Sequence, residues 1–87
     1  MMINIISKIE KMRNHFGWDK TDSKEFLVDA LLEEINELKE ALSQDEASFK
    51  SEVADVLMYA ITICIEEGYD IETIISNKID EVMQREY

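Results

Sequence analysis

Apolar residues recur along this chain at helical spacing. In residues 4–16, Ile5, Ile6, Ile9 and Met12 share one face, with Phe16 extending it. A polar break follows, Gly17-Trp18-Asp19-Lys20-Thr21-Asp22-Ser23. Within it, Asp22 with Glu25 three residues on resembles a capping box, opening a second helix over residues 24–42. Residues 43–47 read as a connection, with Ser43, Asp45 or Ser48 as cap for a third helix over residues 49–67. Gly68 suits a left-handed terminator, and Asp70 then caps a fourth helix over residues 71–85. The inward face of that last helix would carry Ile74, Ile75, Ile79, Val82 and Met83. With no proline and only two glycines, little interrupts these segments. Short connections predict one all-α domain over residues 1–87, an antiparallel four-helix bundle that oligomerises through helix faces.

The pattern breaks in two places. At roughly 100° per residue, Leu27, Ala30, Leu38 and Ala41 fall close to Glu34 on the second helix, and Leu31, Ile35 and Leu42 widen that arc. Glu34 therefore stands inside an apolar stripe, with Glu37 at its edge and Glu33 and Glu40 toward the polar side. On the third helix, Asp55 interrupts the apolar stretch Val53-Ala54-Asp55-Val56-Leu57-Met58, three residues after Glu52 and on the same face. Two such pairs on neighbouring antiparallel helices would converge four carboxylates on one interior point. Buried, mutually repelling carboxylates must take up protons or meet a cation. Lys50 is the only base on the third helix, so the neutraliser comes from solution, and all-oxygen ligation points to Mg²⁺ or Mn²⁺. Glu10, Glu40, Glu46, Glu66, Glu67, Glu72, Asp80 and Glu81 read instead as solvated helix faces.

Composition narrows the picture further. The chain has 87 residues, 46% of them apolar, so one thin core is expected and with it self-association. Twenty acidic against nine basic residues give a net charge of −11, which excludes a nucleic-acid binder driven by its own basic surface. An anionic substrate would need a divalent cation to be held. No apolar run is long enough to span a membrane, and residues 1–10 lack the pattern of a signal peptide, so the expected location is cytoplasmic. The single cysteine, Cys64, lies in an apolar stretch and reads as a small buried hydrophobe.

Taken in order, Glu33-Glu34-Ile35-Asn36-Glu37, a short gap, and Glu52-Val53-Ala54-Asp55 resemble the signature of the MazG-type nucleoside triphosphate pyrophosphohydrolases, within the all-α NTP pyrophosphatase superfamily. Leu31-Leu32, Leu38-Lys39-Glu40-Ala41-Leu42 and Val56-Leu57-Met58-Tyr59-Ala60-Ile61 flank the two blocks as in that family. Met12-Arg13 and Gly17-Trp18-Asp19-Lys20 upstream, and Gly68-Tyr69-Asp70-Ile71-Glu72 and Asn77-Lys78-Ile79 downstream, resemble further family segments. The resemblance implies a helical bundle that forms dimers or dimers of dimers and cleaves nucleoside triphosphates to monophosphate and pyrophosphate. It implies that Glu34, Glu37, Glu52 and Asp55 hold Mg²⁺, with Mn²⁺ as a substitute, and that Glu33 holds a second metal or orients the attacking water. The departure is at the C-terminus, where only Asn77, Lys78 and Arg85 remain of a richer polar run, with Val82 and Met83 between.

The chemistry suits these residue types. Cations bridging phosphoanhydride oxygens neutralise charge that would repel a nucleophile, and Glu33 is the candidate general base. Lys20, Asn77, Lys78 and Arg85 are candidates to meet the substrate's phosphates, and Trp18 suits either stacking on a base or closing the end of the core. His15 has no Glu-x-x-His partner, which disfavours a di-iron bundle, and no EF-hand loop is present. Two alternatives stand beside this reading: a phosphoribosyl-ATP pyrophosphohydrolase, and a non-catalytic helical interaction module whose acids are merely solvated.

Overall fold

Every regular element in the computed structural model, which describes residues 2–85, is helical. Helix α1 is Met2–Phe16, α2 is the single turn Trp18–Thr21, α3 is Lys24–Glu40, α4 is Glu46–Glu67 and α5 is Ile71–Met83. A 3₁₀ turn, Ala41–Ser43, closes α3, taking up the last two residues expected of an α-helix there.

Local chemistry sets most of the boundaries. Asp45 accepts the backbone N–H of Ser48 at 2.8 Å and caps α4, which begins three residues earlier than its apolar pattern. That hydrogen bond also holds the Asp45 carboxyl below its ordinary range. Asp70 caps α5 by accepting from the hydroxyl and backbone N–H of Thr73, which lowers its pKa as well. Gly68 ends α4 at φ 73°, a left-handed conformation that costs a residue without Cβ nothing.

One cap differs from expectation. Ser23, not Asp22, caps α3, its hydroxyl accepting the N–H of Phe26 at 3.0 Å. Asp22 is instead turned toward Arg13, 3.5 Å away, because an almost fully buried guanidinium competes more strongly for a carboxylate than an exposed N–H does.

The α3–α4 pair forms the centre of the molecule, and α1 lies across α4. Leu27 on α3 and Ala41 in the 3₁₀ turn that closes it are buried, at either end of the stripe that contains Glu34, and Ile9 is buried on α1. Ile35 and Leu42, at the rim of the apolar arc, are exposed. Among the described residues, helix α5 packs extensively on no other helix. Its apolar face, expected to point inward, is open to solvent: Ile74, Ile75, Ile79, Val82 and Met83 are all exposed. A single chain thus builds its core from α1, α3 and α4, with no helix left to cover α5.

Candidate metal centre

Glu34 and Glu37 sit one turn apart on α3, and Glu52 and Asp55 one turn apart on α4. Because these two helices pack on one another, the turns meet. Carboxylate oxygens of Glu34, Glu37 and Glu52 lie within 4.8 Å of one another. Glu34 and Glu52 are half-buried, and one oxygen of each, Oε2, is buried with no hydrogen-bond partner. Asp55 is half-buried beside them, near enough for its charge to act on Glu34, but outside the tight group of three. Glu37 and Glu33 are exposed at the rim.

The electrostatics follow from this crowding. Glu34 is pushed up to about 7, first by burial and then by the charges of Asp55 and Glu37, while Glu52 favours the protonated form by accepting its proton in a hydrogen bond. Oxygens this close, partly desolvated and without enough donors, match what a hard divalent cation requires. On this chemistry the residues fit such an ion.

Tyr59 was not singled out from sequence, yet it lies in the same field. Burial raises the pKa of its hydroxyl, as do the charges of Glu34, Asp22, Asp55 and Glu33. The signal was available in its spacing, four residues after Asp55 on one helix face. Tyr59 also lines a cavity of about 200 Å³ together with Arg13, Trp18, Asp22, Phe26 and Met58, so the cavity and the field of the carboxylates meet at Tyr59. Trp18 does not close the core. It is 43% exposed, stacked on Phe16 with ring centroids 4.6 Å apart, and forms part of the cavity wall. Lys20 is exposed on the same short helix.

The other expected site residues stand elsewhere in the chain. Asn77, Lys78 and Arg85 are exposed and follow α4, and Lys78 and Arg85 bond to Glu81, 3.0 and 2.8 Å away. Three acids expected to be solvated are in fact engaged: Glu81 as just described, Glu66 with the buried Arg13, and Glu67 with Lys24 at 3.1 Å. Glu40 is exposed as expected.

The described residues are helical, with carboxylates clustered where two helices face each other, an arrangement that a divalent cation would fit. Residues 22–86 match the MazG nucleotide pyrophosphohydrolase domain, and the chain belongs to that family. No curated protein and no solved structure matches it. The family assignment agrees with the resemblance read from the Glu33–Glu37 and Glu52–Asp55 blocks, whereas Arg13, Trp18, Asp19 and Lys20 lie upstream of the matched span. Among the described residues, no helix is long and apolar enough to cross a membrane.

Proposed function

We propose that this chain hydrolyses ribo- or deoxyribonucleoside triphosphates to the monophosphate and pyrophosphate, with Mg²⁺ held by Glu34, Glu37, Glu52 and Asp55. The observation that carries this reading is the pair of buried, unpartnered oxygens on Glu34 and Glu52, which face each other from two helices of a nucleotide pyrophosphohydrolase domain. When bound, the cation would neutralise triphosphate charge and make water a better nucleophile, a role that Mn²⁺ can also fill.

The chain's own residues supply the rest. Glu33, exposed beside the cluster, accepts the proton of the attacking water as the bond between the α- and β-phosphates breaks. The cavity next to the carboxylates takes the nucleoside, with the open face of Trp18 available to a base. Lys20 would reach the phosphates from the α2 turn, and Asn77 and Lys78 on α5, with Arg85 just beyond it, are the candidates to meet them once copies of the chain associate.

Two apolar surfaces support a homodimer or homotetramer. One is the uncovered face of α5, and the other is a groove between α1 and α4 lined by Ile5, Ile9, Leu57 and Ile61. Association through them would complete a four-helix bundle around each site. The reading is of a cytoplasmic enzyme, since its substrate is found there, with no nucleic-acid polymer or membrane as partner.

A panel of ribo- and deoxyribonucleoside triphosphates with Mg²⁺, scored for pyrophosphate against orthophosphate, tests the proposal. Release of pyrophosphate from one or more of them is expected. A chain that releases none, or that acts on phosphoribosyl-ATP alone, would require a different substrate.

A further inference from the structure

We infer that Arg13 is a positioning residue that fixes α2, and with it Trp18, against the α3–α4 pair, setting the width of the cavity beside the carboxylates. That its consequence is nucleotide affinity rests on the function proposed above.

Arg13 is charged yet only 3% exposed. A guanidinium so placed must have its donors engaged. Its Nη2 donates to the Trp18 carbonyl oxygen at 3.1 Å and lies 3.5 Å from Asp22 Oδ2, while its Nη1 bonds the Glu66 carboxylate. Trp18 and Asp22 are the first residue and the C-cap of α2, and Glu66 is in the last turn of α4. One side chain therefore holds both ends of α2 and ties them to the central helix.

Helix α2 needs such a tie. Four residues are too few for a helix to persist by itself. It leaves α1 through Gly17 at φ 75°, and its side chains contribute an exposed bond from Asn14 Nδ2 to Asp19 Oδ2 at 3.3 Å. Trp18, Asp22 and Arg13 itself all line the cavity that Tyr59 joins to the carboxylates. If the clamp is released, the tryptophan wall loosens while Glu34, Glu37, Glu52 and Asp55, on other helices, stay in place. An arginine that merely stabilised the fold would affect melting and leave nucleotide affinity untouched.

Trp18 is the chain's one tryptophan, so its emission reports this wall directly. The test compares full-length wild type with Arg13→Lys, Arg13→Met and Glu66→Gln. Each is measured for acrylamide quenching, for KM and kcat with the best nucleotide, and for the Mg²⁺-induced rise in Tm. Both Arg13 variants should show stronger quenching and a KM raised about tenfold, the worth of one lost charge-assisted hydrogen bond. Their kcat and Mg²⁺ response should stay near wild type. Glu66→Gln keeps the guanidinium but weakens its anchor, and should move quenching and KM the same way by less. It decides the matter should Arg13→Met not fold. Wild-type quenching and KM in the variants, with only a lower Tm, would make Arg13 structural and overturn the inference. A wild type that hydrolyses no nucleotide would defeat the proposed activity, while the quenching comparison would still decide whether the clamp exists.

Discussion

Glu34 on α3 and Glu52 on α4 face each other across a helix pair, each keeping one oxygen buried without a hydrogen-bond donor. With Glu37 in the same cluster and Asp55 alongside, apo-protein folding forces together groups that repel. A cation that relieves this should stabilise the fold.

Titration with Mg²⁺ should therefore raise the melting temperature. At a hundredfold excess over the dissociation constant, linkage gives about 2.7 kcal/mol. For a domain of this size that is on the order of 10 °C. Calorimetry in EDTA and in Mg²⁺ or Mn²⁺ measures it. An unchanged Tm would favour the non-catalytic helical module.

Removing a ligand should separate function from folding. Glu34→Ala and Asp55→Ala are expected to abolish pyrophosphate release while leaving a helical apo-protein, because each deletes a repelling charge from a half-buried cluster. Glu40→Ala, on the exposed side of α3, should keep wild-type turnover. Circular dichroism alongside the pyrophosphate assay distinguishes lost chemistry from lost structure.

The stability of the apo-protein should depend on pH in a definite sense. Glu34 titrates near 7 in the fold, against 4.5 as its ordinary value. Between those values the native state binds more protons than the unfolded chain, so its contribution is present below 4.5 and is lost as pH rises through about 7. Denaturant midpoints in EDTA should accordingly fall over this window, and Glu34→Gln should flatten that fall. Mg²⁺ competes with the same proton, so its affinity should rise over the same window.

The uncovered face of α5 should hold copies of the chain together. Ile75→Glu or Ile79→Glu places a charge among exposed Ile74, Val82 and Met83, and should shift the mass measured by light scattering toward the monomer. A wild type that is already monomeric at high concentration would contradict this.

Much of this was legible in the chain itself, for local reasons. A 3.6-residue period identifies which residues share a helix face, so it placed Glu34 with Leu27 and Ala41 and paired Glu52 with Asp55 before any packing was known. Asp45, Gly68 and Asp70 act through backbone groups within three or four residues of themselves; Gly68 and Asp70 mark the ends they were expected to mark, and Asp45 is the one of three candidate caps that α4 uses.

What the period does not report is which surface a face will meet. Arg13 and Glu66 are 53 residues apart, and Glu66 read as a solvated acid because nothing near it in sequence is basic. Their pairing exists only once α1 lies against α4, and it draws Asp22 away from the cap that its spacing suggested. The isoleucines of α5 likewise form an apolar face by sequence, but the same sequence leaves that face exposed in one chain. Residue order along the helices thus determined the four longer elements and the carboxylate pairs, whereas the α2 turn lies inside the segment that read as a polar break. The tertiary structure decided which charges lost their water and which partners they found, because desolvation and long-range pairing depend on neighbours distant in the chain.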